Sequence, residues 1–367
     1  MKIVLLQSNF AKALNQVSRV VGARTTLPVL SNVLLSAKKG KIRLSATDLE
    51  VGITTQTVGK IEEEGELTLP ARLLSDFISN NKDESIEITT EGMVATLKSS
   101  HFEATIQGIS AEEFPTVPEA PKEYYSSVKR GELADALKKV NLAAANDESR
   151  PALAGVFWQF DSGALTLAAT DSYRLAEKKL ILEKNVEKKD IIIPGRTMNE
   201  IARLLGAEEV EDVLLAVADN QVTFKVGDIL IVSRLIEGVF PNYRQIIPTG
   251  YKTTVKAGLS GLQSAVKMSS LFAKDSANNN IKLVVDKVLT VVSSVSQTGS
   301  AKSTVDAEIS GTGLTIAFNA RYVLDVLSVI GGDKVIFQFN ESSSAALIKS
   351  EKDENYNYII MPLKAES

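Results

Sequence analysis

Apolar residues at helical spacing mark the start of three stretches of the chain. The first stripe is Phe10, Leu14 and Val17, where residues three or four positions apart share one helix face. The pattern returns at Leu133, Leu137 and Val140 and then, more loosely, at Leu262, Val266 and Ser269. Each stripe predicts an amphipathic helix. The segments that follow alternate apolar and polar residues around short turns, which is typical of antiparallel strands with one solvent-facing side.

A second helix is predicted in each stretch by a start motif that recurs at nearly constant spacing. The motif reads LPAR, IPGR and FNAR, and its arginines are Arg72, Arg196 and Arg321. Proline is tolerated in the first turn of a helix. The strand and turn IRLSATD, which contains Asp48, recurs as LTLAATD, which contains Asp171, and the turn EEFP recurs as GVFP. One unit has therefore been repeated three times.

The repeats predict an α+β fold made of three tandem copies, each with two helices packed on antiparallel sheets. We place the domain boundaries at 1–122, 123–250 and 251–367, with linkers near 118–127 and 248–254. The length of 367 residues, of which 44% are hydrophobic, leaves each copy enough mass to bury a core.

The composition excludes several kinds of site. The chain has no cysteine, which excludes disulfides, thiolate metal sites and thiol nucleophiles. Because His101 is the single histidine, a metal site built on several histidines is excluded too. The first residues, MKIVLLQSNF, contain too short an apolar run for a signal peptide, and no later stretch is long enough to span a membrane. We expect a cytoplasmic protein with no metal and no cofactor.

The charges support two interpretations. The predicted first helices carry basic residues off their apolar faces, namely Lys12 and Arg19, Lys138 and Lys139, and Lys267. These could be ordinary solvated faces, or they could form a basic surface that recurs in every copy. A net charge of −4 and a pI near 5.4 argue against holding DNA by phosphate neutralisation alone. A weakly basic surface on an acidic protein fits a polymer that is retained by enclosure.

The sequence does not favour an enzyme. Asp48 and Asp171 could suggest paired catalytic carboxylates, but they occupy equivalent places in different copies, so turn hydrogen bonding explains them better. The chain has no GxxxxGK, GxGxxG or GxSxG motif. We therefore predict no catalytic residues.

Over essentially its whole length, the sequence resembles the bacterial DNA polymerase III β subunit family of sliding clamps. The matching segments are TLPVLSNVLL at 26–35, ATDLEV at 46–51, ATDSYRLA at 169–176, FPNYRQIIP at 240–248, FNARYVLDVL at 318–327 and YIIMPL at 358–363. The resemblance implies three clamp domains per chain and a head-to-tail homodimer whose six domains form a ring around double-stranded DNA. The basic helix faces would then meet phosphates without reading sequence.

The resemblance also implies a pocket that binds short linear peptide motifs. Its residues would be Leu153, Thr170, Tyr173, Arg174, Leu175, Pro241, Ile246, Asn319, Tyr322, Ser343, Ile360, Met361, Pro362 and Leu363. Aliphatic walls would accept Leu and Phe anchors, while Tyr173 and Arg174 could fix polar atoms. Partners reached through such motifs would be the DNA polymerase III catalytic subunit, the clamp loader, other polymerases and repair proteins. The protein would be cytoplasmic and associated with the nucleoid.

Two further surfaces follow from the resemblance. DNA would meet Lys12, Arg19, Arg24, Lys138, Lys139, Arg150, Arg196 and Lys267. The dimer seam would place Leu271 and Phe272 of one protomer against Ile106 and its neighbours in the partner, although a core position suits the Leu-Phe pair equally well. Tyr173, Gln245 and the tail after Leu363 depart from many relatives, which affects the preference of the pocket for particular motifs. A repeat protein that only scaffolds other proteins remains the alternative.

Overall fold

The structure is a computed structural model that describes residues 1–22, 27–147, 149–273, 279–293 and 299–363. By contacts, the chain forms two compact units. The first comprises Met1–Gly131 and Glu200–Leu235, and the second comprises Glu132–Asn199 and Ile236–Ser367. Each unit is built around one large antiparallel sheet and one small one.

The helices of the described residues follow the predicted order. They are α1 (Gln7–Val17), α2 (Ala71–Asn80), α3 (Arg130–Asn141), α4 (Gly195–Ala207), α5 (Leu259–Ala273) and α6 (Ala320–Val329). The three predicted apolar stripes lie on α1, α3 and α5, and all nine of their residues are buried. Each LPAR-type motif ends in the first turn of α2, α4 or α6. The repeated sequence patterns therefore correspond to two helices per copy.

The strands of the first unit form two sheets. They are β1 (Lys2–Leu6), β2 (Asn32–Lys38), β3 (Lys41–Thr47), β4 (Val51–Thr57), β5 (Gly59–Glu63), β6 (Gly65–Pro70), β7 (Ser85–Glu91), β8 (Val94–Lys98), β9 (Glu103–Gln107), β10 (Ser126–Lys129), β15 (Asp212–Val217), β16 (Gln221–Val226) and β17 (Ile229–Arg234). The small sheet has the order β5-β1-β7-β8-β9, and the large sheet has the order β10-β15-β16-β17-β4-β3-β2-β6. The core of this unit contains Phe10 and Phe224.

The second unit repeats this plan. Its strands are β11 (Gly155–Asp161), β12 (Ala164–Thr170), β13 (Arg174–Ile181), β14 (Lys189–Pro194), β18 (Thr253–Gly258), β19 (Asn280–Val285), β20 (Leu289–Ser293), β21 (Lys302–Val305), β22 (Ala307–Gly311), β23 (Leu314–Asn319), β24 (Lys334–Phe339), β25 (Ala346–Ser350) and β26 (Tyr356–Ile360). The large sheet has the order β14-β11-β12-β13-β26-β25-β24-β18-β22, and the small sheet has the order β21-β20-β19-β23. Its core includes Trp158, Tyr356 and Tyr358, all fully buried.

Each large sheet joins strands from two of the predicted domains. In the first unit β4 pairs with β17, and in the second unit β13 pairs with β26. Backbone hydrogen bonds therefore run without a break across both predicted domain junctions, which explains why contacts divide the chain into two units although the sequence repeats three times. The predicted boundaries at 122 and 250 stay a prediction.

The copies also share local geometry. The hairpin between β2 and β3 turns through Lys39 and Gly40, with φ of 52° and 70°. The hairpin between β11 and β12 turns through Ser162 and Gly163, with φ of 46° and 84°. Two successive residues with positive φ make a turn whose twist matches that of the flanking strands. Equivalent hairpins in the first two copies thus use the same turn.

Candidate functional site

One turn occurs at the same place in the first two copies. Between β12 and β13, the Thr170 hydroxyl donates to the carbonyl of Arg174 at 2.7 Å, and Asp171 accepts the backbone N–H groups of Tyr173 and Arg174 at 2.9 and 3.0 Å. Ser172 has a φ of 81°. The Asp171 carboxylate therefore satisfies main-chain donors.

The turn between β3 and β4 makes the same hydrogen bonds. Thr47 donates to the carbonyl of Val51 at 2.9 Å, while Asp48 accepts from Glu50 and Val51 at 3.0 and 2.8 Å. Leu49 has a φ of 76°. Both aspartates are turn residues, as the sequence predicted, and neither is half of a catalytic pair.

Arg174 is a buried cation surrounded by protein groups. Its guanidinium donates to the carboxylates of Asp171 at 2.9 Å and Asp325 at 2.6 Å, and it lies 4.2 Å from the ring centre of Tyr322. The Tyr358 hydroxyl, whose pKa is raised by burial, donates to the carbonyl of Tyr322. Arg174 is only 8% exposed. Its guanidinium therefore binds protein groups, and the expectation that it fixes polar atoms of a peptide stays a prediction.

A hydrophobic cluster lies beside this turn. Its buried members are Leu153, Ala168, Leu175, Ile192, Phe240, Tyr243, Leu347 and Ile359. Phe240 stacks on Phe157 with ring centres 5.0 Å apart, and the Tyr243 hydroxyl donates to Glu177 at 2.7 Å. Burial raises the pKa of Tyr243, and the Glu177 carboxylate adds to that effect. The cluster joins two predicted pocket residues to several that sequence reasoning missed.

The predicted pocket residues differ in exposure. Those with exposed side chains are Tyr173, Pro241, Ile246, Ser343 and Met361; those partly exposed are Asn319, Tyr322, Pro362 and Leu363; those buried are Leu153, Thr170, Arg174, Leu175 and Ile360. Tyr173 is 61% exposed, Ile246 47% and Met361 41%. Large apolar side chains at these exposures offer contact area to a partner. The other predicted residues are covered by the protein itself.

Backbone hydrogen bonds bring several of these residues together. Arg174 is the register partner of Ile360 between β13 and β26. The next residue, Met361, donates its backbone N–H to the carbonyl of Tyr173 at 2.8 Å, so the two exposed side chains start from neighbouring backbone. Asn319 caps α6 by accepting the backbone N–H of Arg321. Ser343 lies in the turn between β24 and β25.

Residues missed by the sequence analysis share one property. Asp325 lies one turn of α6 beyond Arg321, and Phe240 and Tyr243 lie in the quoted FPNYRQIIP segment. The repeat could have identified Phe240, because it precedes the proline of the GVFP turn just as Phe114 precedes the proline of the EEFP turn. Phe240 and Tyr243 are buried and Asp325 is 32% exposed, and all three hold neighbouring side chains in place, a role that a motif match does not distinguish from contact with a ligand.

The predicted DNA-facing residues fall into three groups. Lys12, Arg19, Lys138, Arg196 and Lys267 have exposed side chains. Arg150 is exposed too, but it donates to the Ser172 hydroxyl at 2.8 Å, which places it against the turn of the candidate pocket. Arg24 lies outside the described residues. Lys12 also forms an ion pair with Glu208 at 3.0 Å, which offsets part of its charge.

The prediction that Lys139 faces outward is wrong. Its side chain is 6% exposed, and its ammonium group donates to Asp135 and Asp353, both at 2.8 Å. Burial alone would lower the pKa of Lys139, but the two carboxylates outweigh that effect and raise it. The ion therefore belongs to the interior of the second unit.

One of the three residues predicted to form the dimer interface is buried within its own protomer. Leu271 is 51% exposed and Phe272 is partly exposed, so both can contribute to an interface. Ile106 is only 3% exposed, because it faces inward on β9 opposite Ala95. The prediction that its side chain meets a partner is therefore wrong. The exposed residues beside it are Thr105 and Gln107, and β9 is an edge strand of its sheet.

Three family models match the chain in order along its length. The DNA polymerase III beta subunit N-terminal domain matches residues 1–118, the central domain matches 127–242 and the C-terminal domain matches 244–364. The chain belongs to the DNA polymerase III beta subunit family. Three clamp domains in tandem therefore account for the threefold repeat.

Relatives of this family agree over the full length. The beta sliding clamp of Staphylococcus epidermidis is 30% identical over 375 residues, covering 99% of both chains. The crystal structure of the Bacillus subtilis DNA polymerase sliding clamp has a TM-score of 0.94 at 26% identity, covering 100% of both chains. The Pseudomonas aeruginosa sliding clamp, in a structure bound to griselimycin, has a TM-score of 0.94 at 30% identity, again covering 100% of both.

Two kinds of feature are absent from the part of the chain that the structure describes. No cluster of three or more His, Cys, Asp or Glu side chains is arranged to hold a metal ion. Among the same residues, no helix is long and apolar enough to cross a membrane.

Proposed function

We propose that this chain is a sliding clamp, which encircles duplex DNA as a ring and tethers a DNA polymerase and other DNA-processing proteins to their template. The observation that carries the proposal is the full-length match to a family whose relatives are named sliding clamps. It is a processivity subunit and catalyses nothing itself. The alternative of a repeat scaffold without a DNA role is disfavoured by the same match.

Two protomers complete the ring in this proposal. Leu271 and Phe272 on α5 would meet the edge strand β9 of the partner, with Thr105 and Gln107 in place of the buried Ile106. An apolar pair on one side and a strand edge with free backbone groups on the other suit a head-to-tail contact. Six domains would then surround the DNA.

The exposed basic side chains support DNA contact without sequence readout. Lys12, Lys138 and Lys267 lie on the first helix of each copy and Arg196 lies on the second helix of the middle copy. Since the net charge is −4, such contacts would keep DNA mobile within the ring, and retention would depend on ring closure. The affinity for DNA is therefore topological.

The test uses a nicked circular plasmid onto which a clamp loader assembles the labelled protein. Retention on the intact circle, followed by rapid loss after one restriction cut, is the expected result. Equal retention on circle and linear DNA would mean ordinary binding, and would contradict the proposal. Loading of a control clamp verifies that the loader is active.

A bifunctional maleimide reagent tests the ring closure. The chain has no native cysteine, so a protein carrying Gln107→Cys and Leu271→Cys has only the introduced thiols. Crosslinking at the seam should keep the closed ring on the circle through salt washes. Each single variant provides the control.

A peptide motif is the proposed ligand of the pocket. The exposed apolar side chains Tyr173, Ile246 and Met361 would receive Leu and Phe anchors above the buried cluster. A fluorescein-labelled pentapeptide with Leu and Phe anchors is the probe, and griselimycin is the competitor. Binding of the probe, displaced by griselimycin, is expected; no binding at millimolar protein would refute the pocket.

A further inference from the structure

A buried charge cluster holds together residues from distant parts of the second unit. Asp353, just before β26, accepts hydrogen bonds from Lys178 at 2.6 and 2.7 Å and from Lys139 at 2.8 Å. The side chains are 18%, 11% and 7% exposed, respectively. Burial alone would raise the pKa of Asp353, but the two lysines outweigh that effect and lower it, so the carboxylate is ionised at neutral pH. Asp135 gives Lys139 a second carboxylate.

This cluster lies at one end of the ladder that β13 and β26 form. Lys178 is the register partner of Tyr356 there, and the Tyr356 hydroxyl donates to the carbonyl of Lys139 at 3.0 Å. At the other end, Arg174 pairs with Ile360 beside the pocket. A short ladder of antiparallel residues thus connects the cluster directly to the candidate pocket.

The two ends of the ladder carry clusters of opposite composition. At the pocket end, one cation, Arg174, lies between the carboxylates of Asp171 and Asp325. At the far end, one carboxylate, Asp353, lies between the ammonium groups of Lys178 and Lys139. Salt screens such buried pairs little. Asp353 therefore anchors the start of β26 through its two ion pairs, and at the pocket end the strand is held by the backbone pairing of Ile360 with Arg174.

The equivalent positions in the first unit are neutral. By the repeat spacing, Gln16 on α1 corresponds to Lys139 on α3, and Thr55 on β4 corresponds to Lys178 on β13. The two are joined by a hydrogen bond of 2.7 Å from the Thr55 hydroxyl to the Gln16 side-chain oxygen. The first unit therefore has a neutral pair in place of the two lysines, and its Gln16 also donates to the Glu208 carboxylate. The lysines occur in the unit that carries the candidate pocket.

We propose that Asp353, with Lys139 and Lys178, is a positioning element of the peptide pocket, which sets the position of Met361 by fixing the strand that leads to it. This inference rests on the proposed peptide-binding role. Because β26 ends at Ile360 and Met361 follows at once, a change in the register or tilt of the strand displaces the exposed side chain that a peptide meets. Asp353 itself touches no ligand.

The experiment measures the affinity of the fluorescein-labelled Leu-Phe pentapeptide by anisotropy. Asp353→Asn should weaken binding about tenfold, the effect expected when a coupled residue outside the site is changed. Asp353→Glu, which keeps the charge, should restore most of the affinity. Since Asp353→Asn leaves a buried ammonium group unpaired, the double variant Asp353→Asn with Lys178→Gln is measured as well. In the double variant Lys139 retains Asp135.

The matched control is Glu208→Gln in the other unit. Glu208 is a carboxylate of similar exposure, at 12%, and it accepts hydrogen bonds from Lys12 and Gln16. This variant should bind the peptide with unchanged affinity. Folding of the Asp353 variants is checked by the emission of Trp158, the single tryptophan, which is fully buried in the same unit, and folding of the Glu208→Gln protein is checked by circular dichroism.

The outcomes separate the two proposals. No peptide binding by the wild-type protein refutes the pocket itself. Binding by the wild type with unchanged affinity in the folded Asp353→Asn or double variant refutes the positioning role. An equal loss in Glu208→Gln refutes it too, because the effect would then follow general stability. Loss in the Asp353 variants, rescue by glutamate and no loss in the control support it.

Discussion

Replacing Arg174 should destabilise the second unit strongly. Arg174→Met keeps an apolar stem but removes a guanidinium that is 8% exposed and contacts Asp171, Asp325 and the Tyr322 ring. Removing one partner of a buried ion pair costs roughly 3–5 kcal/mol, a range wide enough to include the lost contact with the ring, which is worth about 1 kcal/mol. Asp325 is 32% exposed and Asp171 keeps its backbone donors, so the lower end applies. We expect a loss of about 3 kcal/mol.

The assay is urea unfolding followed by the fluorescence of Trp158. This residue is fully buried on β11, in the same large sheet as β13, so its emission reports unfolding of the second unit. With a denaturant slope of about 2 kcal/mol per molar urea, the expected loss moves the midpoint down by about 1.5 M. Arg174→Lys should recover little, because an ammonium group cannot reproduce the planar contacts to two carboxylates and a ring.

Lys252→Met is the control variant, because Lys252 lies in the same unit as Trp158. Lys252 is 61% exposed and pairs with the exposed Glu341 at 3.0 Å, so its loss should move the midpoint by less than about 0.2 M. If Arg174→Met moved the midpoint by no more than this control, the buried cluster would contribute nothing net. The account of Arg174 as a structural cation would then be wrong.

Four further predictions concern single side chains. Gly311 has a φ of 100°, and a Cβ added there would overlap a main-chain carbonyl oxygen. Gly311→Ala should therefore lower the free energy of unfolding, measured by Trp158 fluorescence, by at least about 3 kcal/mol. Gly131→Ala, where a Cβ would meet open space, should change the free energy of unfolding by no more than about 0.5 kcal/mol. Hydrogen bonds from neighbouring serine and histidine side chains lower the pKa of Asp83 from 3.8 to about 2. The ionised carboxylate therefore stabilises the fold above pH 3.8, and this stabilisation is lost as the pH falls towards 2. The acid unfolding of Asp83→Asn, followed by circular dichroism, should lack that part of the transition. Met361→Ala should weaken peptide binding about fivefold in the anisotropy assay without changing the urea midpoint, because the side chain is 41% exposed.

The repeated elements could be predicted from the sequence because they depend on local patterns. The apolar stripes fix which face of α1, α3 and α5 is buried, and Thr-Asp sequences before β4 and β13 specify turns that the chain closes within five residues. Short-range patterns carry such features independently of the rest of the fold. The same holds for the family motifs, which match along the whole chain.

The burial of Lys139 could not be predicted from local sequence patterns. On a helix considered alone, a lysine off the apolar face is expected in water. Here that face is covered by Asp353, which lies 214 positions further along the chain, and no local pattern encodes the contact. The second ion, Lys178, reaches the same carboxylate from β13.

The burial of Ile106, by contrast, could be predicted from the local sequence. It stands between the polar residues Thr105 and Gln107 on β9, and alternation alone indicates that it faces inward. The family motifs do not specify which way the side chain faces, whereas the alternation of polar and apolar residues along the strand does.

The shared turn before β4 and β13 separates what the backbone requires from what a ligand requires. The hydrogen bonds common to both copies use a threonine, an aspartate and one residue with positive φ, and they use only backbone atoms of the last two positions. In the second copy alone, the Arg174 side chain adds a contact to Asp171. The hydrogen bonds of the hairpin leave the side chains at these two positions unspecified, so one backbone framework presents Glu50 and Val51 in one copy and Tyr173 and Arg174 in the other.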